Sequence, residues 1–474
     1  MTEDVLVRVN VPDIATKQLK FRDKGGRRIL TISSNLLTLF GFSKGDAVVE
    51  RSLGPGKGMT VERVDDLFAG PQTKKVYART YKQRRNNPLE HMIEVSSQRL
   101  IDEAFPEGCN RVHILFQSGK VTITPIFTIE ERARANAGKA DPDSVFAALT
   151  SGVDLHSMQT SGFSISAVLE WRPQEARDKT NLTETGAMTA LANSGPLYAL
   201  FNEDVTSCVL DHIGAAMAKN PPMIFHASPQ CDDLSNLKAK SLKERDLETT
   251  DSTADMIIDL LAIIEKIAPP VVVFENVPGM IGSPAYEVAS LRLRRWGYTR
   301  HEHVGDARDY GGLTSRKRAY VVFTLLNAPF AFEEPYGERE RDAWAVIEPF
   351  LDQCRDVSHS KSLNDGKEIG RLRAIKPGAR NLPTPVKSIA RMAKDSIVIE
   401  PEDGKFLFPS EALFKHLLGI DDVDLNAVSA TIATEIIGQS IDRPHHEMIM
   451  RSVRRHIAAW REASNDDDNV GMAA

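Results

Sequence analysis

Cysteine is scarce: 474 residues contain four, Cys109, Cys208, Cys231 and Cys354, and no two form a Cys-x-x-Cys pair. That pattern excludes a disulfide framework and argues against a structural zinc site, so no metal is expected and a reducing cytoplasm is the expected setting. Long apolar runs are missing too. The most apolar stretch, MIIDLLAIIEKIAPPVVVF, is broken by Asp259, Glu265, Lys266 and a proline pair, so no membrane span is expected. The opening residues, MTEDVLVRVNVPD, lack a basic stretch followed by an apolar core, so no secretory leader is expected. Nor is there an excess of basic charge. The formal net charge is −6, part of it from three aspartates in the segment Ser464–Asn469, and the total does not announce a nucleic-acid binder. Local patches matter more than totals. What remains is ordinary: 42% hydrophobic, 26% charged, and long enough for two or three domains with real cores.

Two early segments resemble each other. Ile29–Val64 and Met92–Ile126 each read as a strand, a short Ser-capped helix, a glycine turn and a hairpin closed by Gly-Lys. Ile32-Ser33-Ser34-Asn35 matches Val95-Ser96-Ser97-Gln98, Gly45 matches Gly108, and Lys57 matches Lys120. One such unit is too small to bury its own apolar face, so the two copies are expected to pack together as a pseudo-dimer. The pattern resembles the swapped-hairpin domains of AbrB-like regulators, which implies DNA binding. Phosphate contacts would come from Arg22–Arg28 and from Lys74, Lys75, Arg79, Lys82, Arg84 and Arg85. The plainer reading is a small β-barrel with solvated charges.

From about Glu130 to Ser161 the chain turns rich in Ala, Gly, Asp and Ser, as a linker would. Beyond it, apolar segments alternate with helix-period ones. Ala167–Trp171, Leu197–Phe201, Met223–Ala227, Val271–Val277 and Ala319–Phe323 read as buried strands, and Asp255–Ile267 as a helix. The alternation implies an α/β fold with a doubly wound, mostly parallel sheet, whose ligands sit at the carboxyl ends of the strands.

The motifs that carry chemistry stand beside these strands. Met223–Ala227 leads into Ser228-Pro229-Gln230-Cys231-Asp232-Asp233-Leu234-Ser235. A cysteine on a strand-to-helix turn can have its thiolate stabilised by helix N-terminal amides. Val271–Phe274 leads into Glu275-Asn276-Val277-Pro278-Gly279, and Thr314-Ser315-Arg316-Lys317-Arg318 precedes another strand. Alone, a buried cysteine is usually a small hydrophobe and a strand-end glutamate usually a cap or ion-pair partner.

In this order, the set resembles the DNA cytosine-5 methyltransferase family from about Ser164 to Trp460. Further matches are Asn202-Glu203-Asp204, Phe406-Leu407-Phe408-Pro409-Ser410-Glu411 with Leu418-Gly419, and Ile437-Gly438-Gln439-Ser440-Ile441. The resemblance implies a Rossmann-like methyltransferase that uses S-adenosylmethionine to methylate C5 of a cytosine flipped out of double-stranded DNA. It implies Cys231 as nucleophile, Glu275 as the acid that grips the base, and Arg316 and Arg318 as fixed cations of the pocket. Asn276 would orient the loop and, with Ser235, face DNA. Glu203 would accept the donor's ribose hydroxyls, with Asp204, Thr185, Gly186, Pro229 and Ser440 around the cofactor.

The chain departs from the family at Gln230, Asp232, Thr314 and Gln439. The glycine-rich first motif is missing after Trp171, where Arg172–Asn181 and Leu182–Gly186 stand instead. DLFAG at Asp66–Gly70 lies outside the methyltransferase region and reads as a decoy. Five regions are therefore expected: a duplicated DNA-binding domain at 1–130, a linker at 131–160 and a catalytic core at 161–326. A small target-recognition region at 327–404 and C-terminal motifs at 405–474 that return to the core complete the set. In the fourth region Arg371, Arg373, Lys376, Arg380, Lys387, Arg391 and Lys394 are candidates for DNA contact. Two other readings stay open: a DNA-binding regulator that has lost activity, and a related enzyme acting on RNA. A restriction endonuclease partner is also left open.

Overall fold

The structure is a computed structural model that describes residues 10–65, 73–83, 89–175, 178–235, 238–249, 252–337, 342–380, 382–387, 389 and 392–472, with side chains to 465. Asp66–Gly70, Arg84, Arg85 and Arg391 lie outside these residues. Two compact units emerge, Met1–Thr128 and Ile129–Ala474.

The second unit is built on a seven-stranded sheet: β1 Ser144–Ala148, β2 Ser164–Leu169, β3 Ala199–Phe201, β4 Ile224–Ala227, β5 Val271–Asn276, β6 Thr299–Asp306 and β7 Lys317–Thr324. Their order is β3-β2-β1-β4-β5-β7-β6. β1 to β5 run parallel, and β7 is antiparallel to both its neighbours. The doubly wound, mostly parallel sheet expected from the sequence is therefore present. Chain direction along the sheet reverses between β1 and β4, which opens the ligand crevice of such folds at their carboxyl ends.

The strands are legible as strands because both faces are covered. All six residues of β5 are buried, as a parallel sheet between helix layers requires. Helix Met256–Ile267 buries Ile257, Leu260, Ile263, Ile264 and Ile267 against one face and stops at Ala268, which takes a left-handed conformation. On the other face Met448, Ile449, Val453 and Ile457 of the final helix, Arg443–Met472, share a core with Val145, Ala147 and Val168.

The segment 131–160 is no linker. It holds part of helix Ile129–Ala137, the whole of β1, and helix Val153–Thr160. All five residues of β1 are buried at the centre of the sheet. Its composition misleads because alanine and serine have little β preference, while a strand flanked on both sides needs small, well-packed side chains more than β-branched ones. The unit that carries the sheet, expected to begin at residue 161, thus begins at Ile129.

The region 327–404 contributes to a separate four-stranded sheet in the order Arg355–Asp356, Leu407–Phe408, Ile397–Ile399, Arg373–Ile375. Leu407–Phe408 was expected to return to the catalytic core. It instead completes this small sheet, and only the following helices, Glu411–Leu417 and Ala430–Gln439, lead back.

In the first unit the two copies interleave. Arg28–Ser33 pairs antiparallel with its counterpart Leu89–Val95, Leu30 facing Val95 and Ile32 facing Ile93. The hairpins join through Met59–Glu62 and Lys120–Ile123. Leu30, Ile32, Val48 and Val61 of one copy and Ile93, Val95, Ile114 and Val121 of the other fill a single core. The serine caps differ: Ser34 Oγ accepts from the amide of Leu36 at 3.2 Å, while Ser97 makes no side-chain cap hydrogen bond to its helix. Two of the basic candidates are also committed internally: Arg28 binds Asp102 and the carbonyl of Pro106, and Lys74 binds Glu50.

No helix among the described residues is long and apolar enough to cross a membrane.

Candidate active site

The cysteine loop leaves β4 at the crevice. Pro229 is buried, and its carbonyl accepts a hydrogen bond from Asn276 Nδ2 at 2.8 Å, while Asn276 Oδ1 accepts from the amide of Val277. Asn276 therefore ties the end of β5 to the loop that carries Cys231. The loop then closes on itself, with the amides of Leu234 and Ser235 donating to the Cys231 carbonyl. Gly279 is needed beneath it: a Cβ there would lie 2.2 Å from the Leu234 carbonyl oxygen. The expected helix terminus is absent from the cysteine, because the next helix begins only at Lys240. The thiol is pushed up by burial and by Asp232 and Glu275, and drawn down by Arg318 and Arg316. The guanidinium groups of Arg318 and Arg316, in place of helix amides, oppose that rise.

Glu275 sits at the end of β5 opposite Tyr320 of β7. This antiparallel pairing brings Arg318 beside it, with Nε 2.9 Å from Glu275 Oε1. Both side chains are about 10% exposed, at 11% and 9%, so the pair is a desolvated one. Burial raises the Glu275 carboxyl above its ordinary range, against the pull of Arg318 and Arg316. A carboxyl so placed can hold a proton near neutrality and give it to a ring nitrogen.

Arg316 does something different from what its motif suggests. It is almost fully buried, and its guanidinium donates to Thr384 Oγ1 at 3.0 Å, Pro385 O at 2.9 Å, Gly438 O at 3.2 Å and the carbonyl of Ser440. It fastens the start of β7 to the segment after the small sheet and to the end of helix Ala430–Gln439. A group bound to four backbone and side-chain acceptors is not free to grip a base, so among the described residues Arg318 is the cation in contact with Glu275, and Arg316 acts on it only from further off. Ser440 is buried, and its hydroxyl donates to the carbonyl of Ile437. Thr314 is fully buried with its hydroxyl unpartnered among the described residues.

Around the residues that the resemblance gave to the cofactor, the strands are offset by one from the expected count. Because β1 is Ser144–Ala148, the loop after it is Leu149-Thr150-Ser151-Gly152, and the acid at the end of β2 is Glu170. Leu149, Ser151 and Gly152 all have positive φ, at 61°, 50° and 80°. Strain of that kind in non-glycine residues clusters at binding sites. Gly152 has no alternative, since a Cβ would lie 2.7 Å from the amide of Ala190. Glu170 Oε1 accepts from the amide and hydroxyl of Thr150, and burial raises its carboxyl to about 7. Glu203 and Asp204 stand one strand further out, after β3. There Glu203 accepts from the amide of Val209, and Asp204 from the amide and hydroxyl of Thr206.

Thr185 begins helix Thr185–Asn193 and donates to the Leu182 carbonyl. Gly186 is buried against Glu170, and a Cβ there would come within 3.1 Å of Oε2. The sequence reading missed Thr150 and Gly152. The usable signal was a glycine turn after one strand, followed about twenty residues after Thr150 by an acid closing the next.

Among the candidates for DNA contact, Arg371 is exposed. Arg373 is turned inward, donating to the carbonyls of Asp395 and Thr384. Lys376 pairs with Glu400 at 3.3 Å. Lys387 lies 3.7 Å from Asp232 of the cysteine loop and 3.4 Å from Glu175.

Residues 210–378 match the family model described as C-5 cytosine-specific DNA methylase. A curated relative, the type II methyltransferase M.NgoBI of Neisseria gonorrhoeae, is 26% identical over 148 residues. That alignment spans 31% of this chain and 44% of the relative, less than half its length. Solved structures with a similar fold include the Entamoeba histolytica methyltransferase EhMeth, at 17% identity and a TM-score of 0.49 over 65% of this chain and 97% of that one. The S. pombe Dnmt2 methyltransferase stands at 15% identity and a TM-score of 0.49, over 65% and 97% of the two chains.

Proposed function

We propose that this chain, whose residues 210–378 match the C-5 cytosine-specific DNA methylase family, transfers a methyl group from S-adenosylmethionine to C5 of cytosine in double-stranded DNA. One arrangement carries the reading: the crevice at the ends of β4, β5 and β7 gathers Cys231, Glu275 and Arg318. The Asn276 hydrogen bond to Pro229 fixes the loop on which the thiol sits.

C5 of cytosine is a poor nucleophile. The Cys231 sulfur bonds to C6 while Glu275 gives its proton to N3, which leaves an electron-rich enamine at C5. Arg318 holds the Glu275 carboxylate in place as it loses that proton. After methylation the proton on C5 is removed, the C6–S bond breaks with its electrons returning to sulfur, and N3 gives its proton back. The ring is out of reach inside a duplex, so the base flips into the crevice.

The donor fits the residues that face it. The strained loop Leu149–Gly152 and the Glu170 carboxylate form a Rossmann-type cradle, and Gly186 leaves open the space a Cβ would fill beside Glu170. Glu170 would hold the ribose hydroxyls, a role the sequence reading gave to Glu203. When bound there, S-adenosylmethionine supplies an electrophilic methyl group.

The test is incubation of the purified protein with labelled S-adenosylmethionine and mixed DNA, followed by mapping of 5-methylcytosine. Label in RNA alone would replace the DNA reading. Binding to DNA with no transfer would favour a regulator.

A further inference from the structure

The final helix meets the sheet at a cluster that the proposed mechanism does not use. Asp154 lies in the first turn of helix Val153–Thr160, His226 stands on β4, and His446 lies in the first turn of the final helix. All three are buried, at 2%, 0% and 0% exposure. The two imidazole rings stand nearly perpendicular, at 86°, with their Nε2 atoms 2.9 Å apart. Asp154 Oδ2 lies 4.0 Å from His226 Nε2, and one ligand atom from each of the three side chains falls within 4.8 Å of the others. We infer that Asp154, His226 and His446 bind a divalent transition-metal ion of the zinc class, which pins the final helix to the sheet. The inference stands apart from the methyl-transfer reading, since none of the three residues takes part in that chemistry.

The donors select the ion. Two imidazoles and one carboxylate suit zinc and its neighbours, whereas magnesium and calcium call for oxygen ligands. Atoms bound to one zinc ion sit about 2.0–2.2 Å from it, and so roughly 3–4 Å from each other. The contacts of 2.9 and 4.0 Å lie at the two ends of that range. The remaining pair, within 4.8 Å, closes with a movement of about an ångström or less. His446 Nδ1 lies 2.7 Å from the hydroxyl of Ser157, which shares a helix face with Asp154. With Nε2 on the ion, Nδ1–H donates to that hydroxyl oxygen and fixes the ring, as outer partners of metal-bound histidines do.

Without an ion the same groups are poorly matched. At 4.0 Å His226 is too far from Asp154 for a hydrogen bond, and among the described residues no lysine or arginine lies within ion-pair distance of that carboxylate. Ser228 Oγ donates to Oδ2 at 2.6 Å but brings no charge. A divalent ion answers the buried carboxylate and both nitrogen lone pairs at once. No spacing in the sequence marks this site, because His226 and His446 stand 220 residues apart and Asp154 falls in the stretch that reads as a linker.

The test uses the full chain and zinc itself. Protein produced with added zinc, and protein stripped by a strong chelator and resupplied with Zn2+, should each hold stoichiometric zinc by elemental analysis. Resupply should raise the thermal midpoint, since the ion binds the folded state. Co2+ in its place should give the visible bands of a nitrogen- and oxygen-bound ion without a sulfur charge-transfer band. Cys231→Ser should bind zinc as the wild type does, whereas His446→Gln and Asp154→Asn should bind it about a hundredfold more weakly or worse. Ser157→Ala keeps all three ligands, so it serves if those variants do not fold, and should weaken binding about tenfold or more. Wild type that holds no stoichiometric zinc in either preparation overturns the site. Undiminished binding in His446→Gln or in Ser157→Ala, or binding that depends on Cys231, overturns it as well.

Discussion

Thr150 donates both its amide and its hydroxyl to Glu170 Oε1, at 2.6 and 2.8 Å, joining the loop after β1 to the end of β2. In the proposed cofactor site that bond joins its two halves, and the carboxylate would suit ribose hydroxyls. Glu170→Ala should weaken S-adenosylmethionine binding about tenfold to a hundredfold by calorimetry, since charged hydrogen bonds contribute roughly 1.5–3 kcal/mol each. DNA affinity should hold. A donor affinity that survives this change but falls in Glu203→Ala would restore the acid after β3 to the role.

The same carboxyl makes stability depend on pH. Its folded value of about 7 lies above the ordinary 4.5, so the native state binds more protons than the unfolded one between those values. The contribution is fully present below the unfolded value and is lost as pH rises through about 7. Glu170→Gln carries no such term. Its stability relative to wild type should therefore improve by roughly 2 kcal/mol between pH 5 and pH 8 in denaturant titrations. A constant difference would show that Glu170 does not titrate in this window.

Cys231 should form a covalent adduct with DNA carrying 5-fluorocytosine at the target position, because the fluorine blocks the loss that frees the enzyme. Cys231→Ser should abolish trapping on denaturing gels. Retained trapping would assign the nucleophile to another residue.

Arg316 should prove structural. Arg316→Ala strands the carbonyls of Pro385, Gly438 and Ser440 in the interior and should destabilise the catalytic unit by roughly 3 kcal/mol or more. Arg318→Ala, by contrast, should cost less stability, since the Glu275 carboxyl left behind can take up a proton, while kcat falls by about a hundredfold or more. Equal losses of stability in the two variants would erase the distinction.

The first unit should bind DNA without choosing the base. A chain beginning at Ile129 should bind more weakly and with a shallower salt dependence, each lost phosphate contact removing about one unit of slope. It should methylate the same sequence. Unchanged affinity and slope would give the interleaved repeat a purely structural role. A changed site would move target recognition out of the region 327–404.

Much of this was legible. β4, β5 and β7 announce themselves as continuous apolar runs, and the Cys231, Glu275 and Arg318 motifs stand beside them, so the crevice proposed as the active site follows from order alone. β1 was not legible, because Ser-Val-Phe-Ala-Ala in an alanine- and aspartate-rich stretch has neither alternation nor β-branched weight. Missing it displaced the count by one strand, which is why the sequence reading gave the ribose to Glu203 and the proposal here gives it to Glu170. β6 escaped for a different reason: an edge strand of Thr, Arg, His and Glu has one wet face and no apolar run. Arg316 shows a limit of motifs, since spacing gives a residue's neighbourhood but not which acceptors its guanidinium meets.

The final helix has a consequence for how the protein is made. Met448, Ile449, Val453 and Ile457 cover the face formed by Val145, Ala147 and Val168, about three hundred residues earlier in the chain. Until that cover is made, the same face has only nearer segments such as Leu155 and Met158 against it, so the second unit completes this core late in synthesis, while the interleaved repeat can close its own core on the nascent chain.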